Sequence, residues 1–168
     1  MPNFSFIRSN VCGDIKIDSL CIYVDDNDII DDEFINKYIL EKNYNRNIEG
    51  LFFSPNRTDK FLIPDNSPIE FKLSEGFLSK YKWLKQIAFC WSSVGITDEM
   101  FKGCENLEYI FLGTPLDKPL KTFDTIINLP NIKEIYLNGF GLAKMSDEFV
   151  EWYLEKTNEK AHIIKHLC

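Results

Sequence analysis

Large apolar residues return at fixed offsets down the second half of the chain. Leu84-Lys-Gln-Ile87-Ala-Phe89, Leu107-Glu-Tyr-Ile110-Phe-Leu112 and Ile132-Lys-Glu-Ile135-Tyr-Leu137 carry them at positions one, four and six. The three starts lie 23 and 25 residues apart. A period in this range, in units too small to bury an apolar face alone, predicts a solenoid whose units stack on one another. Such folds bind along an extended surface and seldom do chemistry.

A second phrase runs in step with the first. Leu73-Ser-Glu-Gly-Phe77, Ile96-Thr-Asp-Glu-Met100 and Met145-Ser-Asp-Glu-Phe149 share an aliphatic residue, a hydroxyl, an acid and an apolar residue, and Ile30-Asp-Asp-Glu-Phe34 is a close variant. A hydroxyl or carboxylate caps the free N–H groups of a starting helix, and the acids after it face the positive end of the helix dipole. Leu73 to Leu84 and Ile96 to Leu107 both span 11 residues. Strand and helix are therefore expected to alternate in fixed register.

Further upstream the pattern loosens. Ile48-Glu-Gly-Leu51-Phe-Phe53 and Ile17-Asp-Ser-Leu20-Cys-Ile22 keep positions one, four and six, but their starts are spaced irregularly, 31 and 36 residues apart. The excess before Leu84 holds Lys60-Phe-Leu-Ile-Pro64 and Pro68-Ile-Glu-Phe-Lys-Leu73, which predict short extra strands around 60–73 on the outer side. Asp147–Lys156 predicts a helix, and Ala161–Leu167 a last strand closing the open end of the core. The chain reads as α/β and one domain. Residues 1–47 are a cap or degenerate repeat, 48–144 the repeats, and 145–168 a helix–strand cap.

The LxxLxL phrase with a capped helix behind it resembles the leucine-rich repeat. Phe101-Lys-Gly-Cys-Glu-Asn-Leu-Glu-Tyr-Ile-Phe-Leu112 is similar to bacterial surface-antigen-type repeats, in which an FxxCxxLxxIxL run recurs. The resemblance covers residues 73 to 137 best. Where the family usually carries asparagine, three residues past the last strand leucine, this chain has Ser92, Pro115 and Phe140. That predicts irregular turns without the usual asparagine ladder. The family's short horseshoe implies a concave parallel sheet and convex helices. Positions one, four and six then face the core and the alternate positions face out.

Carried onto this chain, position five gives an outward row of Cys21, Phe52, Ala88, Phe111 and Tyr136. Position three gives Ser19, Gly50, Gln86, Tyr109 and Glu134, and position eight gives Trp91. Phe52, Trp91, Tyr109, Phe111 and Tyr136 are then expected as an exposed aromatic band, the kind of surface interfaces use for anchors. A register slip of one residue would instead put these rings in the core. The Phe52-Phe53 pair is where that choice is sharpest.

Charge narrows the partner. Nineteen basic residues against 26 acidic ones leave a formal charge of −7. Nucleic acid is excluded as a partner, because binding it rests on neutralising phosphates with Lys and Arg. A basic protein is the partner such a charge steers towards. Asp25-Asp-Asn-Asp-Ile-Ile-Asp-Asp-Glu33 holds six acids in nine positions. Asp25, Asp26 and Asp28 read as a docking rim for that partner, or as a solvated turn leading into a helix near Asp31. A calcium loop lacks its central Gly and its twelfth-position Glu.

The candidate chemistry is thin. His162, His166 and Cys168 can be drawn as a metal site, but on a strand the two histidines stand about 13 Å apart, too far for one ion, and only on a helix could they meet. No nucleophile–base pair, phosphate loop or carboxylate pair stands out, so no enzyme, metal or cofactor is expected. Five scattered cysteines without a CxxC fit reduced thiols in a cytoplasm. Neither a signal peptide nor a membrane span is expected. The expected function is non-enzymatic protein binding, most specifically an immunity or antitoxin-type inhibitor that neutralises a basic toxin through its concave face. An adaptor or substrate-recognition subunit is the alternative, and a metal-dependent enzyme the remote one.

Overall fold

The computed structural model describes residues 3–9, 17–37, 48–56, 69–90, 92–93, 97–112, 124–138, 151, 154–155 and 164–167. Its centre is a seven-stranded sheet among these residues, in the order β1 (Asn3–Ser9), β2 (Ile17–Val24), β4 (Gly50–Pro55), β7 (Gln86–Phe89), β9 (Tyr109–Leu112), β10 (Glu134–Asn138) and β11 (Ile164–Leu167). β1 runs antiparallel to β2, and every later pair is parallel. The fold is thus α/β with a mixed, mostly parallel sheet. The segments 84–89, 107–112 and 132–137 contribute neighbouring parallel strands, as their common spacing predicts. The tail supplies the expected last strand. Two short parallel pairs lie outside this sheet: β3 (Ile29–Ile30) with β6 (Lys72–Leu73), and β5 (Ile69–Glu70) with β8 (Ser92–Ser93). β5 and β6 fall in the stretch where extra strands were expected, whereas Lys60–Pro64 lies outside the described residues.

Register explains the core. Leu20, Leu51, Ile87, Ile110, Ile135 and Ile164 stand opposite one another across six strands, and all are buried. Ile22, Phe53, Phe89 and Leu112 form the next buried row. Phe53 stacks on Phe89 at 5.4 Å and on Phe71 at 5.0 Å. Leu84 and Leu107 are buried and Ile132 packs against the same core. Phe53, not Phe52, faces inward, so the register at that pair is the one the alternation predicts.

Ile17 is a correction. In the downstream phrases position one precedes the strand, and a turn carries it to the core. β2 already runs from Ile17, so strict alternation puts Ile17 on the same side as Ser19 and Cys21. It packs with Tyr109 and Tyr136 instead of joining the main core.

α1 (Asp32–Ile35) and α3 (Asp124–Ile127) are described over four residues each, and α2 (Phe77–Lys80) and a 3₁₀ stretch (Asp98–Phe101) are single turns. Eleven residues between the two phrases leave no room for more. The same pair of i→i+3 hydrogen bonds leads from turn to strand three times. Tyr81 N and Leu84 N donate to Leu78 O and Tyr81 O, Cys104 N and Leu107 N to Phe101 O and Cys104 O, and Leu129 N and Ile132 N to Ile126 O and Leu129 O. Asp31 caps α1 as expected, its Oδ1 accepting from Phe34 N at 2.9 Å. Ser74 does not cap α2 with its side chain. Gly76, in the left-handed region at φ 66°, precedes that helix and Ser74 meets it through its carbonyl. Of the expected helix Asp147–Lys156, only Glu151, Leu154 and Glu155 are described, all helical. Among the described residues, no helix is long and apolar enough to cross a membrane.

Candidate protein-binding face

The sheet has a second face opposite the main core, and the predicted outward rows are on it. Ser19, Gly50, Gln86, Tyr109 and Glu134 stand opposite one another in consecutive strands. Two residues on, Cys21, Phe52, Ala88, Phe111 and Tyr136 form the second row. Phe111 and Tyr136 are therefore direct cross-strand neighbours. Both are half-buried, as is Glu134, whose Oε2 accepts from the Tyr136 hydroxyl at 2.7 Å.

The expected exposure does not extend to the whole band. Phe52 is 5% exposed and Tyr109 only 1%. Phe52 packs with Cys21 and Ala88, and Tyr23, Cys90 and Phe111 lean on that cluster. The physical reason is cross-strand spacing: strands about 4.8 Å apart set a large ring flank to flank with the next strand's residue. Ala88 beside Phe52 leaves the space into which the ring settles. Tyr109 is likewise held by Ile17, and Lys133 Nζ lies 5.7 Å from its ring centroid. Trp91 lies outside the described residues.

Gly50 permits this closure. A Cβ there would overlap Ser19 Oγ, and would meet Ser19 Cβ at 3.0 Å and Ile17 Cγ2 at 3.4 Å. Burial also sets the thiols on this face. It pushes Cys90 up to about 12, with Cys21 nearby adding to the rise, and it raises Cys21 as well, partly offset by a hydrogen bond to Tyr23. Burial thus favours the protonated form of both thiols, and the thiolate is the reactive form.

Charged residues line the entry to the strands. Lys85 pairs with Glu49 at 2.6 Å and Lys133 with Glu108 at 2.6 Å, and each hydrogen bond raises the lysine above its ordinary value. The acidic run is a built turn. Asp28 Oδ2 accepts from Asp25 N at 2.9 Å, Asn56 Nδ2 donates to Asp25 Oδ2 at 3.0 Å, and Asn27 takes φ 68°. Asp32 accepts from Lys80 at 2.5 Å and from the Tyr81 hydroxyl at 3.1 Å. Its carboxyl is held below the usual range, chiefly by Lys80. Asp25 and Asp26 remain exposed, Asp28 half-buried, and Ile29 beside them is 61% exposed. His162 and Cys168 lie outside the described residues, while His166 stands in β11 opposite Leu137.

Three polar residues tie neighbouring turns together in ways the sequence reading missed. Asn106 Nδ2 donates to Lys82 O at 2.5 Å and Asn131 Nδ2 to Glu105 O at 2.7 Å. An asparagine pair therefore exists, one residue before position one and not three past the last leucine. The signal was legible: Asn106-Leu107 and Asn131-Ile132 share it. Asp98 bonds not its own turn but the start of α3, accepting from Thr125 N at 2.8 Å and Ile126 N at 3.1 Å. No local pattern signals that partner. Compared with protein-family models, with curated proteins and with solved structures, the chain matches none.

Proposed function

We propose that this chain is a short leucine-rich-repeat solenoid that binds a basic protein, most specifically as an immunity or antitoxin-type inhibitor of a toxin. Phe111, Glu134 and Tyr136 are its central contact, and Asp25, Asp26 and Asp28 its acidic rim. The recurring turn and the strand order support the architecture. One observation carries the binding reading: Phe111 and Tyr136 sit side by side on the sheet face away from the core, half-exposed, with a carboxylate hydrogen-bonded to the tyrosine. Rings in such a place give up water on binding without leaving a core void. The net charge of −7 favours a basic partner and steers its encounter. Phe52 and Tyr109 serve as the buried bed beneath the contact.

The test is capture from native extract by the wild type and by a Phe111→Ala/Tyr136→Ala variant. A basic protein must be retained by the first, lost by the second, arrest growth when expressed alone, and be relieved by co-expression of this chain. Equal retention by the double variant removes the proposed face. A captured protein that is harmless on its own removes the inhibitor reading.

A further inference from the structure

A cleft of about 410 Å³ opens between the β6–α2 segment and the 3₁₀ turn Asp98–Phe101, away from the rows just described. It is large enough for one long side chain or a small molecule. Its lining has two characters. Leu73, Phe77 and Met100 supply apolar surface, while Ser74, Glu75 and Glu99 supply oxygens. Phe77 is buried, Leu73 and Met100 are half-buried, and both glutamates are exposed. Ser74 adds an independent detail. Its Oγ is shielded from water and has no hydrogen-bond partner among the described residues. Buried hydroxyls are nearly always satisfied, so one left unmade beside a cleft marks a place where a polar group completes the site. A single χ1 step turns a serine hydroxyl from one staggered position to the next.

We propose that this cleft takes one long basic side chain, lysine or arginine, from a protein partner. An alkyl stem matches the Leu73, Phe77 and Met100 surface, since such side chains bury their stems and keep the cation at the wet end. The cationic head meets Glu75 and Glu99 at the rim and donates to Ser74 Oγ. A neutral apolar group leaves that hydroxyl unmet, and an anion faces two carboxylates. Lys102 also lines the cleft, and its charge opposes a cation there. This inference rests on the basic partner of the proposed function and gives it a second point of attachment.

The probe is n-butylguanidinium, titrated at constant ionic strength into protein carrying ¹³C-methyl methionine and read at the Met100 methyl. The chain has three methionines, so Met100→Leu assigns the signal. A saturable shift is expected with butylguanidinium and not with butanol. Glu75→Gln with Glu99→Gln weakens binding about fivefold, as loss of two exposed ion pairs should. Both glutamates are exposed, so that variant keeps the fold. Lys102→Ala tightens binding. Ser74→Ala weakens it without lowering the thermal midpoint, because the hydroxyl makes no bond in the free protein. Absence of a saturable shift, an equal shift from butanol, or indifference to the double Gln variant overturns the proposal. Each of these leaves the Phe111/Tyr136 capture test standing, because those residues lie on the sheet face and not in the cleft.

Discussion

Gly50 is where one missing atom decides most. Ser19 and Ile17 lie across its backbone, and a Cβ would strike Ser19 Oγ before anything else. Gly50→Ala is expected to cost about 1–3 kcal/mol, the range for forcing an atom into packed space. Ser19→Ala in the same chain should recover part of it, because the oxygen is closer than its Cβ. Urea denaturation of the single and double variants checks both. The thiols make a second residue-scale prediction. Cys90 is raised to about 12 and Cys104 to about 11, from an ordinary value of 9.0, chiefly by burial. Folded thiols hold their protons where unfolded ones lose them. Their contribution is therefore fully present below pH 9 and declines as pH rises towards 11 for Cys104 and 12 for Cys90. The slope is at most about 1.4 kcal/mol per pH unit for each group. Cys90→Ala with Cys104→Ala should flatten the loss of stability between pH 9 and 11.

The described helical turns are short, and a first turn fixes several dihedrals for one hydrogen bond, so it cannot hold itself. What holds these is the neighbouring turn. Asp98 satisfies two N–H groups at the start of α3, so Asp98→Ala should destabilise by about 1–2 kcal/mol. Asn131→Ala removes one exposed bond to Glu105 O and should cost about 0.5–1.5 kcal/mol. Thermal denaturation of both variants decides this, and additivity of the two losses would place the sites in separate contacts. The helix starts at Asp31 and Thr97 were readable because a cap and its acids are adjacent in sequence. Asp98 as the cap of α3 was not, since Thr125 stands 27 residues away.

For the whole molecule, the aromatic rows divide into two kinds of residue, which one experiment separates. Phe52→Ala should cost about 3–5 kcal/mol of folding stability, as deletion of a buried ring does. Phe111→Ala and Tyr136→Ala should leave the melting transition nearly unchanged and weaken partner binding by about 2–4 kcal/mol each, or 30- to 1,000-fold. A large drop in melting temperature for both would show them to be packing residues. Reversing the charges of Asp25 and Asp26 should slow association and reduce its salt dependence, with little effect on stability, because exposed charges mainly steer encounter.

Alternation of side chains and a common spacing are local properties, and the sequence alone determined what depends on them. The parallel strands 86–89, 109–112 and 134–138 are of this kind. So are the inward rows through Ile87 and Ile110, whereas the Phe52-Phe53 pair left two registers open until strand pairing set Phe53 beside Ile22 and Phe89. Tertiary structure alone decided how much of that opposite face stays open. Phe52 is buried because its neighbour on the next strand is Ala88, and Tyr109 because Ile17 reaches it from β2 across Gly50. Those contacts join residues 36 and 92 positions apart in the chain. Periodicity says which way a side chain points, but whether water reaches it depends on what distant strands set beside it.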